Sequence, residues 1–468
     1  MNTEIIEKLQ QAIGPEKVKT DEGILQERRR DWSVTNALAD MQGRGAPNPA
    51  CVVNPKNTED VVRIVKTCNE NKAVLVPFGL GSGCMKAIHT TPETVLLDMS
   101  SMKRIRKIDT KNLIATFDAG VRGSDAEAAV GKEGMTLGHY PQSIDVSSVG
   151  GWVSTRASGQ FSSAYGSIED VVMALEVVLP NGEVLETRLT PRAAAGPDLN
   201  HIFLGGEGTM GVVTAVTFSL HWKPEKREYT AFYAATMEEG LEFQRYIIQS
   251  GWMPPVMRQY DTSETQRKFG DYARGDDCLV TLVHEGPEGR VDAEIKDCLE
   301  IARDVKCDVA PAKSVADWME NRNDVHPWET WLDNNIILDT IEMAATWDKI
   351  GPIYRNAIDS LNKVDGMLAA SAHSSHCYRS GINLYFTFAA KAEDPLDMEP
   401  VYYDCWDRVL RAVIDGGGGI SHHHGIGRVR RGYMAAEIGE SGVNLLRALK
   451  RALDPNNILN PEVLIPQD

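Results

Sequence analysis

The chain has no CxxC pair: its eight cysteines, at 51, 68, 84, 278, 298, 307, 377 and 405, are scattered. That excludes zinc-ribbon and iron–sulfur frameworks, and at 468 residues a disulfide scaffold is not expected. No run approaches 18 apolar residues, so no membrane-spanning segment is expected. Positive charge is also short, with 49 basic against 66 acidic side chains and a net charge of −17. That disfavours nucleic acid and anionic membranes as general partners, while leaving room for a local basic pocket. The N-terminus, MNTEIIEKLQQAIG, reads as the start of an amphipathic helix and not as a signal peptide. The closing PEVLIPQD carries no peroxisomal or retention tail, so the expectation is a soluble, cytoplasmic protein. Internal repeats and low-complexity tracts are absent as well.

What is present is a globular composition, 42% hydrophobic and 25% charged, in a chain too long for one ordinary core. Two or three domains are expected. Its most unusual stretch is 138–172, GHYPQSIDVSSVGGWVSTRASGQFSSAYGSIEDVV, dense in small and hydroxylated residues. Glycines there let a backbone approach a ligand closely, and free amides with hydroxyls suit a polyphosphate. Two further glycine turns abut strands. Ala73–Val76 runs into Pro77-Phe78-Gly79-Leu80-Gly81-Ser82-Gly83, and Gly205 to Gly211 runs into Val212–Val216. The first opens no helix, so it is not the dinucleotide fingerprint. Three such turns within about 140 residues converge on one large phosphate-bearing ligand.

Elsewhere Val61, Ile64, Val65 and Cys68 recur at helical spacing behind an Asn57 cap. Ser124-Asp125-Ala126-Glu127 reads as a capping box, and Val171–Leu179 with Val184–Glu186 as a hairpin across Pro180-Asn181-Gly182. Residues 1–44 read as a helix followed by irregular, charged sequence, and the last helix as 442–453. Beyond Pro224 the pattern becomes mixed α+β.

Chemistry concentrates late in the chain. His422-His423-His424 stand between four glycines and Gly425-Ile426-Gly427, a setting that packing does not explain. Base, electrophile and metal ligand are all open to these imidazoles. His376 could join them at a metal site or be a hydrogen-bonded core histidine. Tyr385 is ordinary for its strand, and Arg258 could hold an anion.

The strand–PFGLGSG turn, PQSIDVSSVGGWVSTRAS and EGTMGVVT, in that order, resemble the FAD-binding domain of the vanillyl-alcohol oxidase (PCMH-type) flavoproteins. VGGWVSTRASG, AAGPD at 194–198 and SHHHGIG are similar to the alkyldihydroxyacetonephosphate synthase subgroup and its bacterial relatives. The likeness covers about residues 45–468. It implies an α+β fold: an N-terminal helical segment (1–44), a PCMH-type two-subdomain FAD-binding domain (45–225), an α+β cap domain over the substrate (226–415), and a C-terminal segment returning to the FAD domain (416–468).

The resemblance implies FAD contacts from Pro77, Phe78, Gly79, Leu80, Gly81, Ser82, Gly83, Gln142, Ser143, Ser147, Ser148, Gly150, Gly151, Thr155, Ser158, Glu207, Gly208, Gly211 and Val213. It assigns acid/base work to Tyr385, which precedes the triplet by 37 residues, and an active-site role to Arg258, His376, His422, His423 and His424. Leu80 and Gly83 depart from the family's usual glycine and serine or threonine. No histidine in this loop can tether flavin, so FAD is expected to be non-covalent. DPNNILNP is closer to the D-lactate-type dehydrogenases, yet His423 occupies the place of their metal-binding glutamate, so no metal is expected. The implied function is an FAD-dependent oxidoreductase acting on a small hydroxylated, anionic substrate. Alternatives are alkyl-for-acyl exchange through a flavin N5 adduct and D-2-hydroxyacid dehydrogenation. The electron acceptor is unnamed, and a homodimer is left open.

Overall fold

Four sheets and the helices packed on them place every glycine turn around one space. The computed structural model describes residues 2–324 and 327–467. A four-stranded sheet runs in the order Val18–Lys19, Cys51–Val53, Val95–Asp98, Leu75–Phe78, the last three parallel. These strands bury both faces, hence their unbroken apolar character. Helix Thr58–Asn71 covers them with Val61, Ile64, Val65 and Cys68, and the Asn57 side chain caps its start at 2.9 Å from the Asp60 amide. A five-stranded antiparallel sheet follows, in the order Ile105–Asp109, Ile114–Asp118, Val212–Ser219, Val172–Val178, Val184–Glu186. Two short strands, Met135–Thr136 and His221–Trp222, pair beside it.

The largest sheet is antiparallel throughout: Asp308–Ala310, Lys226–Ala234, Cys278–Gly286, Val256–Tyr260, Met367–Ser374, Gly381–Lys391, Ile336–Thr346, with Cys377–Tyr378 paired onto Gly381–Ile382. Period-two alternation decides what each face carries. Leu384, Phe386 and Phe388 enter a core shared with helices Met237–Ser250, Glu288–Asp304, Trp347–Leu361 and Met398–Asp415. Tyr385, Thr387 and Ala389 face the opposite way. The chain then returns to the first sheet, where the Leu75 amide bonds the Ile458 carbonyl and the Asn460 amide bonds the Leu75 carbonyl (2.8 and 3.0 Å).

Several local expectations change. Of the three glycine turns, the one within 138–172 is in part a helix, Val149–Thr155, capped by Ser148. Val149, Trp152 and Val153 form its buried stripe, and Gly150 is required where the helix meets Ala119, whose Cβ would lie 2.7 Å from an added Cβ. The capping box at Ser124 does not form. Helix Gly123–Gly131 starts two residues earlier than that box would place it, with Arg122 at its N-cap, and the Glu127 carboxylate instead accepts from the Leu137 amide and the Tyr140 hydroxyl. Residues 22–28 and 34–41 are helices rather than irregular chain. Arg28 pairs with Asp98, and Arg29 and Arg30 both pair with Asp40. The last helix begins at Met434 and breaks at Gly439, whose φ is +72°.

Candidate active site

Between the two halves of the chain lies a cavity of about 1280 Å³. One side is made by all three glycine turns. Every flavin-contact residue named from the sequence, from Pro77 through Val213, lines it. The turns are cut to admit backbone: a Cβ on Gly79 would stand 2.6 Å from the Ser148 hydroxyl, and Gly208 (φ +72°) lies against Pro77. Glu207 adopts φ +48° between two glycines, and its buried carboxylate accepts the amides of Ile426 (2.6 Å) and Gly427 (2.8 Å). Burial raises this carboxyl to about 7 against those two donors. The bond ties the third turn to the histidine loop, 219 residues away.

The other side is the large sheet. Glu342, Tyr385, His373 and Tyr260 sit opposite one another on four adjoining strands, forming one row. His373 stacks on Tyr385 with ring centroids 4.7 Å apart, and its Nδ1 meets the buried Glu264 carboxylate at 3.1 Å. Arg258 enters the cavity two residues before Tyr260, on the same face of its strand. It is only 8% exposed, donates from Nε to the Tyr260 hydroxyl at 2.9 Å, and lies 5.2 Å from the Trp318 ring centre. Among the described residues no carboxylate forms an ion pair with it.

The histidine loop is held by a carboxylate. Glu342, fully buried, accepts the backbone amides of His422, His423 and His424 on one oxygen at 2.9–3.1 Å. Arg430, also fully buried, grips both of its oxygens. Burial alone would raise this carboxyl, but Arg430 and His424 hold it well below the usual carboxylate range. The loop is thereby shaped so that all three rings are packed together rather than splayed alternately.

Tyr385 is hydrogen-bonded to His423 Nε2. Burial pushes the phenol up to about 12. Burial, with His424 and His422 nearby, drives His423 well below the ordinary imidazole value, and burial takes His422 to about 4. His424 goes the other way: against burial, its neighbours Cys84, Glu342 and Tyr385 keep it well above that value.

Arg258, His376, Tyr385, His423 and His424 all line the cavity; His422 does not. It lies behind His423, with the two Nδ1 atoms 2.7 Å apart. Ring nitrogens of His376, His422 and His423 come within 4.8 Å of one another, near enough to share a metal ion. The chain's own groups meet these nitrogens too, His376 Nδ1 being bonded to Ser162 at 2.6 Å. Sequence reasoning passed over Glu342, Arg430 and Tyr378, and gave His373 no role of its own. A glutamate amid the apolar strand 336–346 was the available signal.

Residues 49–188 match the FAD binding domain family, and residues 223–464 match the C-terminal domain of FAD linked oxidases. An uncharacterized FAD-linked oxidoreductase of Escherichia coli K12 is 32% identical over 483 residues, covering 99% of this chain and 98% of that protein. Alkyldihydroxyacetonephosphate synthase of Dictyostelium discoideum is 32% identical over 454 residues, covering 89% of this chain and 73% of the synthase. A solved alkyldihydroxyacetonephosphate synthase superposes with a TM-score of 0.82 at 28% identity, over 98% of this chain and 85% of that one.

Proposed function

We propose, for a chain that belongs to the FAD-linked oxidase family, that it is a flavoenzyme oxidising a small hydroxylated substrate bearing an anionic group. Its cofactor is FAD, whose fit is supported by the glycine turns and by the three loops that share one cavity. In this reading residues 45–225 carry the flavin, 226–415 cover the reacting end, and 416–468 close the site. The observation that carries the substrate class is Arg258. A buried guanidinium without a carboxylate is costly, and an anionic substrate group beside it would supply the missing partner.

Bound FAD supplies the two-electron acceptor. Arg258 orients the substrate's anionic group, and the Tyr385 hydroxyl holds or takes the proton of the reacting group. A phenol raised to about 12 is un-ionised at neutral pH, so it can take the substrate's proton only as it passes its own to the neutral His423 imidazole bonded to it. His424, kept cationic, faces the same space and favours negative charge developing there.

A second reading, alkyl-for-acyl exchange at a phosphorylated ester, is favoured by apolar lining from Ile336, Leu338, Leu368, Ala369 and Ala389, which suits an alkyl chain. An anaerobic panel of short 2-hydroxy acids, hydroxylated phosphates and acyl dihydroxyacetone phosphates with fatty alcohols tests both. Bleaching of the flavin band by a hydroxylated anion supports oxidation, and ether product without net bleaching supports exchange. Bleaching confined to uncharged substrates defeats the anionic assignment.

Two results are expected on the way. Acid precipitation should release the yellow chromophore into the supernatant, because residues 77–84 contain no histidine to link it; colour retained in the pellet contradicts this. Arg258→Ala should raise KM about 10- to 100-fold, the loss of a charged hydrogen bond of about 1.5–3 kcal/mol. Unchanged KM removes Arg258 from the substrate.

A further inference from the structure

His422 is the histidine that the cavity leaves out. His422 Nδ1 meets His423 Nδ1 at 2.7 Å, and His422 Nε2 meets the Tyr378 hydroxyl at 2.7 Å. Tyr378 is 37% exposed, whereas Tyr385 lies at the cavity wall on the other side of the pair. Four titratable side chains therefore form one unbroken hydrogen-bonded line, Tyr385–His423–His422–Tyr378, running from the cavity to the surface.

We propose that this line is a proton relay for the reaction at Tyr385, and that Tyr378 is its outlet to water. The proposal rests on the reading of Tyr385 as the acid/base group. A neutral imidazole has one donor and one acceptor nitrogen, which is what a relay member needs. The donors can be assigned consistently in one direction. The Tyr385 hydroxyl donates to His423 Nε2, His423 Nδ1–H to His422 Nδ1, His422 Nε2–H to the Tyr378 oxygen, and the Tyr378 hydroxyl to water. Moving each proton one step breaks four N–H or O–H bonds and makes four. One proton leaves Tyr385, one reaches water, and both imidazoles end neutral in the opposite tautomer. The line is reset when a proton returns from water or when the rings reorient.

The surroundings support a neutral chain. At 2.7 Å the facing Nδ1 atoms leave room for one proton between them, so one ring donates there and the other accepts. The nearby charges are otherwise engaged: Glu342 holds the loop's backbone amides and Arg430, while His424 stands on the cavity side. His376 stacks on His422 at 4.7 Å but turns its Nδ1 to Ser162, outside the line. Tyr378 is itself fixed, since the Trp347 indole N–H lies 3.1 Å from the carbonyls of both Tyr378 and Arg379. A tyrosine serving only as packing would not need to point its hydroxyl at an imidazole.

The test uses FAD-loaded protein with ¹⁵N-labelled histidine. The relay requires His423 to carry its proton on Nδ1 and His422 on Nε2, and saturation transfer from water reads how fast the His423 proton exchanges. Tyr378→Phe, with unchanged melting temperature and flavin spectrum, should slow that exchange about tenfold or more. Tyr378→Gly with added imidazole should restore it, a rescue that a packing role would not give. Exchange in Tyr378→Phe equal to the parent overturns the relay, as does finding both imidazoles protonated on Nε2. These outcomes are separate from the fate of the underlying reading. If Tyr385→Phe still bleaches flavin at the parent rate, Tyr385 loses its assigned role, while exchange through Tyr378 is measured independently.

Discussion

Tyr385→Phe and His423→Ala are each expected to lower turnover by about 10²–10⁴-fold with FAD still bound, the usual worth of a positioned acid/base group. The double variant should lose little more than either single one. The reason is that the phenol and the imidazole are bonded to each other, and neither does the work alone. Removing the ring of His423 leaves a phenol that burial has made harder to ionise. Removing the hydroxyl leaves an imidazole with no group between it and the substrate. Steady-state kinetics with flavin absorbance as the occupancy control decide the matter: fully additive losses mean two separate roles, and a near-active Tyr385→Phe ends the proposal. The same geometry predicts that an inflection near neutral pH belongs to the Glu207 carboxyl, raised to about 7, and not to His423, which titrates well below the ordinary histidine value.

Glu342→Gln is expected to be the most destabilising single substitution around the site, by about 3–5 kcal/mol in reversible denaturant unfolding. The variant keeps the shape but strands Arg430, which is 0% exposed, without its counter-charge. It also weakens the oxygen on which three successive backbone amides converge, so the histidine loop should lose its shape and turnover with it. Depression of the native carboxyl fixes the sign with pH. Its contribution is fully present above the unfolded value of 4.5 and is lost as pH falls through the lowered native value. The parent protein should therefore lose stability on acidification below about 4.5 more steeply than the variant. A variant within 1 kcal/mol or so of the parent would mean that the pair is solvated or replaceable.

The sequence carried the glycine-turn side of the cavity more fully than the side made by the large sheet, for a physical reason. Glycine turns are local: Gly79, Gly208 and their neighbours announce close backbone approach within a few residues, and all of them line the cavity. The same locality is incomplete at Gly150-Gly151, which count with the glycine turns but lie in a helix. The stripe of Val149, Trp152 and Val153, with Ser148 ahead of it, was the helix signal. Glu342 and Arg430 are 88 residues apart, and no local pattern joins them; the tertiary fold does, with Gly419 bridged to Ala344 just ahead of the histidine loop. The three histidines were legible as a group, but their division into one ring facing the phenol, one cation and one behind the wall depends on how Glu342 folds the loop.

The return of the chain to its first sheet has a consequence for biosynthesis. Asn460 lines the cavity, donates from its side chain to the Glu207 carbonyl at 2.8 Å, and follows directly on the backbone pairing between Leu75 and Ile458. A nascent polypeptide still lacking these residues has its glycine turns but not the wall they close against. The pocket is thus finished only once residue 460 has emerged and joined the first sheet, and firm seating of the dinucleotide waits on that step.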